Sequence, residues 1–187
     1  AGTYSGTAAS ACTACGQGKF SDTIAATAES TCTSCEAGKM NGNTASTENS
    51  ACVNCGAGTY SGTAAAACTT CGQGKFSDTL AAMAESTCTS CQAGRYNEQS
   101  GQTSCVGCGT GKYSGATEST SPTSCVDCAA GKIAAATGTT ACSDCGAGSH
   151  ASGTGNIACT QCAVGTANNQ PGQASCTNCA PGRYQST

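Results

Sequence analysis

Twenty cysteines stand in ten C-x-x-C pairs, beginning at Cys12, Cys32, Cys52, Cys68, Cys88, Cys105, Cys125, Cys142, Cys159 and Cys176. Thiols at that spacing can do three kinds of chemistry. Two pairs can close a four-thiolate zinc site, a single pair can cycle as a dithiol redox centre, or every pair can feed a disulfide framework. Zinc sites need pairs grouped in twos, whereas these run as one continuous series with a varying interval. The basic residues and nucleic-acid-facing aromatics that accompany zinc ribbons are also missing. A redox centre sits singly on an α/β scaffold, and ten copies without that scaffold do not fit it. The composition favours disulfides: 20 of 187 residues are cysteine, only 9% are charged and 4% aromatic. That is the balance of an extracellular disulfide scaffold.

No other catalytic constellation stands beside the cysteines. His150 is the only histidine, so no nucleophile–base pair can be assembled from it. The ten acidic residues are dispersed, without calcium-loop spacing. The glycine-rich turns follow cysteines and do not lead a strand into a helix, which excludes phosphate cradles. The expectation is a chain without enzymatic activity or cofactor.

The residues around the cysteines form a repeat. Three residues after each second cysteine comes a glycine (Gly18, Gly38, Gly58, Gly74, Gly94, Gly111, Gly131, Gly148, Gly165, Gly182). Two residues later stands Phe20, Met40, Tyr60, Phe76, Tyr96, Tyr113, Ile133, His150, Ala167 or Tyr184, a position written Φ below. The unit is C-x-x-C-x-x-G-x-Φ followed by 7–11 small polar residues. Ten such units make residues 1–187 a tandem, solenoid-like array. A longer repeat lies on top, because residues 1–35 match 57–91 at all but four positions. The opening "AGTY" and closing "CAPGRYQST" each read as part of a unit, so the chain is expected to be a window of a longer array, cut within a unit at both ends.

Leu80 is the only leucine, so apolar burial cannot supply a core and cross-links must substitute. The predicted fold class is small disulfide-rich repeats: an elongated ladder of short β-hairpins and loops with little regular secondary structure. "STCTSC" and "GKFSDT" are expected to form strands of three or four residues, and "TIAATAES" (23–30) and "TLAAMAES" (79–86) a single helical turn each. The glycine is expected at positive φ, where the chain turns after a cross-link. Φ is expected to pack on the adjacent disulfide, with His150 as a spacer rather than a ligand.

The simplest pairing joins the second cysteine of each motif to the first of the next. It gives Cys15–Cys32, Cys35–Cys52, Cys55–Cys68, Cys71–Cys88, Cys91–Cys105, Cys108–Cys125, Cys128–Cys142, Cys145–Cys159 and Cys162–Cys176, leaving Cys12 and Cys179 to pair outside the segment. An interlaced scheme, Cys12–Cys32 with Cys15–Cys35 and onward, uses all twenty. Spacing alone leaves both open.

The unit C-x-x-G-x-Tyr-…-C-x-x-C is similar to the cysteine-rich repeats of the TNF-receptor and ephrin-receptor-like type. It also resembles the C-x-x-C arrays of protist variant surface and immobilisation antigens. The resemblance covers the whole chain and rests on the cysteines, one glycine and one aromatic. It implies an elongated ladder outside the cell, as in protist or algal surface and extracellular-filament proteins.

The net charge of −3 and the lack of a basic run point away from nucleic acid, and no stretch is apolar enough to span a membrane. All seven cations (Lys19, Lys39, Lys75, Arg95, Lys112, Lys132 and Arg183) occupy the slot between the glycine and Φ. Either their aliphatic stems cover a disulfide, or they form a row of assembly contacts to a neighbouring molecule. A surface of Ala, Gly, Ser and Thr carries far less charge than soluble proteins rely on. About fifty Ser and Thr residues could bear O-linked glycans, while no Asn-x-Ser/Thr sequon occurs. The expected function is a structural component of an extracellular filament, coat or surface hair that self-associates. The alternative is a ligand-binding receptor ectodomain; an ice- or mineral-binding surface, suggested by "TCTSC" at 31–35 and 87–91, comes third.

Overall fold

The computed structural model describes residues 1–183, so the Φ position at Tyr184 lies outside the described residues. By internal contacts the chain forms two compact units, Ala1–Thr89 with Gln99–Ser104, and Ser90–Glu98 with the chain from Cys105 onward. Among the described residues there are ten two-stranded sheets and no α-helix. The predicted fold class of small disulfide-rich hairpins is the one observed.

In the first unit Thr3–Tyr4 pairs with Thr13–Ala14, Lys19–Phe20 with Thr33–Ser34, Lys39–Met40 with Val53–Asn54, and Thr59–Tyr60 with Thr69–Thr70. In the second, Arg95–Tyr96 pairs with Val106–Gly107, Lys112–Tyr113 with Val126–Asp127, and Lys132–Ile133 with Ser143–Asp144. Ser149–His150 with Thr160–Gln161 and Thr166–Ala167 with Thr177–Asn178 complete it. All these pairs are antiparallel. Every strand is two residues long, shorter than the three or four predicted. Glycine and small polar residues on either side end each one, and two paired residues carry too little side-chain contact to hold a hairpin alone.

Cross-links do that instead. The second cysteine of each motif is bonded to the first of the next, from Cys15–Cys32 through Cys35–Cys52, Cys55–Cys68, Cys71–Cys88 and Cys91–Cys105. The series continues as Cys108–Cys125, Cys128–Cys142, Cys145–Cys159 and Cys162–Cys176. Sequence separations are 13, 14 or 17 residues. A closed loop of that size removes about 3 kcal/mol of unfolded-state entropy in the chain-entropy description. Cys12 and Cys179 carry free thiols, the first exposed and the second half-buried.

The interior is built of sulfur and small side chains. Cys15, Cys35, Cys55, Cys71, Cys91, Cys108, Cys128 and Cys145 are at most 1% exposed, accompanied by Ala26, Ala82, Ala134 and Ala151. Most of the large aliphatics face outward, Ile24 being 83% exposed and Leu80 70%, while Ile133 is half-buried. Burial is therefore inverted relative to an ordinary core, and the cystines take the place that leucine holds elsewhere.

The helical turns lie slightly later than predicted. In "TIAATAES" the Ile24–Ala25 segment turns with Ala25 at φ 55°, and a single 3-10 turn follows at Glu29–Thr31. Thr31 Oγ1 donates to Ala28 O at 2.8 Å, which stabilises that turn through the side chain. Glu85–Thr87 repeats it, and Asn49–Ala51 and Pro122–Ser124 are two further instances.

Candidate functional site

A repetitive surface has its functional site in what each layer presents. The glycine of each unit has one reason to be glycine, and Gly18, Gly38, Gly58, Gly94, Gly111 and Gly131 have a second. All ten adopt positive φ, as expected from the turn after the cross-link. At Gly38 that turn is closed by Lys39 N–H donating to Glu36 O at 3.2 Å. The second reason is a close approach. A Cβ on Gly18 would overlap the carbonyl oxygen of Ala64, and one on Gly131 would overlap that of Gly172.

The residues pressed against those glycines are also special. Ala45, Ala64 and Ala81 adopt positive φ, as do Gly138, Gly155 and Gly172 at the corresponding places. Each donates its N–H to the carbonyl of a second cysteine: Ala45 to Cys15, Ala64 to Cys35, Ala81 to Cys55, Gly138 to Cys108, Gly155 to Cys128 and Gly172 to Cys145, at 2.8–2.9 Å. A left-handed residue thus plugs the turn of an earlier layer through both its N–H and its C=O. Sequence reasoning missed this contact. The signal was glycine recurring late in the chain where alanine stands earlier.

It also missed the residue after Φ. Ser21, Asn41, Ser61, Ser77, Asn97 and Ser114 occupy that position and are 1–2% exposed. Asn41 Nδ2 donates to Lys19 O at 2.9 Å, Ser61 Oγ to Lys39 O at 2.8 Å, and Asn168 Nδ2 to Ser149 O at 2.9 Å. These side chains reach the carbonyl of the cation slot one layer back and tie successive hairpins together. The recurrence of Ser and Asn there was visible in the sequence.

Five of the seven cations have carboxylate partners in their own chain. Lys19 meets Glu29 at 3.2 Å, Lys39 meets Glu36 at 3.1 Å, Lys75 meets Glu85 at 3.8 Å, Lys112 meets Asp127 at 2.6 Å and Lys132 meets Asp144 at 2.5 Å. Arg95 Nη1 donates to Cys105 O at 3.1 Å, and Arg183 is exposed. The stems lie half-buried along the hairpins while the heads reach solvent-exposed acids, a geometry worth little per pair.

In the second unit an open groove of about 410 Å³ is lined by Tyr113, Val126, Asp127, Ala129, Lys132, Ala141 and Cys142. His150 stands apart from the other Φ residues: its Nδ1 lies 3.3 Å from Cys176 Sγ. Among the described residues, the ligand atoms of His150, Cys162 and Cys176 lie within 4.8 Å of one another, the two sulfurs being joined in the Cys162–Cys176 disulfide.

This arrangement defines the class: the protein is a cysteine-rich repeat array held by consecutive disulfides, of the kind found outside the cell or at its surface. Residues 79–125 match the family described as "Tyrosine-protein kinase ephrin type A/B receptor-like", a stretch that contains the Cys91–Cys105 and Cys108–Cys125 bridges. No curated protein matches the sequence significantly. Among the described residues no helix is long and apolar enough to cross a membrane.

Proposed function

We propose that this chain is a non-enzymatic structural component of an extracellular filament, coat or surface hair, solubilised by O-linked glycans and assembled by contact between like chains. The observation that carries the reading is the inverted burial. Cystine, alanine and serine fill the interior, and the outside is a uniform field of small side chains punctuated by outward aliphatics. Ile24 and Leu80 occupy the same place in the duplicated block, and Val53, Val106 and Val126 share the position after a first cysteine. Repeated apolar points at equivalent places suit a repeated partner, and a second copy of the chain is such a partner. With Lys19, Lys39, Lys75, Lys112 and Lys132 already facing own-chain acids, we infer that a lateral contact works by ion-pair exchange at these slots together with the apolar points. Cys12 and Cys179 are taken to pair outside the segment, and the ten units to act as one tandem array.

The glycan part is tested by intact mass of native material. Mass above the 17.8 kDa polypeptide, localised to segments such as 5–10 and 114–124, supports it; a bare-chain mass contradicts it. The receptor reading is favoured by a different observation, the groove at Tyr113 and Lys132 beside a stretch similar to receptor repeats. A monomeric chain recovered with a distinct protein bound at that groove would place the receptor reading first.

A further inference from the structure

One cross-link has a neighbour that the others lack. Across the Φ positions the side chains are aromatic, aliphatic or thioether, except at His150. His150 Nδ1 is 3.3 Å from Cys176 Sγ, and the ligand atoms of His150, Cys162 and Cys176 all lie within 4.8 Å of one another. All three residues are half-buried, so solvent and small solutes reach them. Asn168 Nδ2 adds a second polar contact to the same sulfur at 3.8 Å. Its amide is fixed, since Oδ1 accepts from Gly148 N–H at 2.8 Å and Nδ2 donates to Ser149 O at 2.9 Å. The Cys91–Cys105 bridge has a comparable amide, Asn97 Nδ2 at 3.6 Å from Cys105 Sγ, but its Φ residue is Tyr96. The imidazole is the distinguishing group.

We propose that Cys162–Cys176 is a thiol-gated metal site: a cross-link when oxidised, and a Cys–Cys–His ligand set for a thiophilic divalent cation such as zinc or cadmium when reduced. The co-reactant is a low-molecular-weight thiol. Its thiolate attacks Cys162 Sγ, the Cys162–Cys176 bond breaks, and Cys176 leaves as a thiolate while a mixed disulfide forms on Cys162. Imidazole carrying its proton on Nδ1 donates to the leaving sulfur as charge develops, which speeds departure. A second thiolate attacks the small-molecule sulfur of the mixed disulfide, releasing its oxidised dimer and the Cys162 thiolate. Two electrons pass from two small thiols to the bridge. Two thiolates and Nδ1, once that nitrogen has given up its proton, then face a common point. Zinc takes sulfur at about 2.3 Å and imidazole nitrogen at about 2.0–2.1 Å, and the freed sulfurs can close to those distances. Three protein ligands leave a fourth position for water. The oxidised chain takes up no metal here, because a bonded pair of sulfurs offers no thiolate.

The test begins with the oxidised chain. Cys12 and Cys179 are blocked first with an alkylating reagent, then limiting glutathione is added and new thiols are trapped and mapped by mass spectrometry. Cys162 and Cys176 are expected to appear first, and His150→Phe or His150→Tyr to slow their appearance at least about fivefold while leaving Cys91–Cys105 unchanged. Phe and Tyr already fill this slot at other layers, so both variants suit the fold. Cobalt added to the partly reduced protein should give thiolate charge-transfer bands at one ion per chain, and bind at least about tenfold more weakly in the variants. Reduction of Cys162–Cys176 at a rate indifferent to residue 150, or cobalt spectra unchanged by the variants, would overturn the proposal.

Discussion

At Gly131 two constraints coincide, a φ of 84° and the carbonyl of Gly172 where a Cβ would stand. Alanine there must take a left-handed conformation, costing about 1–3 kcal/mol, and must also push a neighbouring layer away. The expected result for Gly131→Ala is a local loss of protection, read by hydrogen exchange at the Gly172 and Cys145 amides. Gly146→Ala, with no positive φ and open space around it, should leave exchange unchanged. Asn41 gives a second measurement at this scale. Its buried amide serves Lys19 O and Ser46 Oγ, so Asn41→Ala should cost about 1–3 kcal/mol by orphaning that carbonyl. Asn41→Ser should recover much of it, since serine makes the equivalent bond at Ser61. The turn requirement for glycine was legible from its place after the cross-link. The close approach was not, because it depends on which later layer stacks there. Alanine at positive φ, as at Ala64, carries no signature of its own and is legible only by comparison with Gly138, Gly155 and Gly172 at the corresponding places.

Among elements, the unit that matters is the hairpin with its disulfide, since two-residue strands have no independent stability. Replacing Cys108 and Cys125 together by serine removes one closure worth about 3 kcal/mol in the chain-entropy description. Stacking reaches only the layers that adjoin, which limits the damage. Exchange should rise across residues 108–128 and at Gly155, whose carbonyl packs on Gly111, and stay low at the Cys162–Cys176 layer; loss of protection throughout the second unit would mean the layers are not independent. The regular count of hairpins followed from the C-x-x-C-x-x-G-x-Φ spacing, because disulfides and turns dictate it locally. The sequence points to a helical turn within 23–30 and within 79–86, while side-chain bonds from Thr31 to Ala28 and Thr87 to Ala84 set the turns at Glu29–Thr31 and Glu85–Thr87.

For the molecule as a whole, surface ion pairs are expected to contribute little to folding. Lys19 and Glu29 are 31% and 67% exposed, so Lys19→Ala should change stability by less than about 1 kcal/mol. The same substitution made at Lys19, Lys75 and Lys132 together should weaken association between chains if these slots serve a lateral contact. Sedimentation at graded salt reads that difference. Composition announced a protein without a core, and the cystine interior is its physical consequence. Composition could not say which face meets a partner, because it counts the seven cations without placing them, and Ala, Ser and Thr differ little from face to face. The most direct measurement is therefore electron cryo-microscopy of material isolated without reductant. The structural reading predicts copies of this chain repeating along an assembly, with like-chain interfaces burying more than about 1,000 Å². Single chains carrying a different protein at the Tyr113–Lys132 groove, and no like-chain interface of that size, would contradict it.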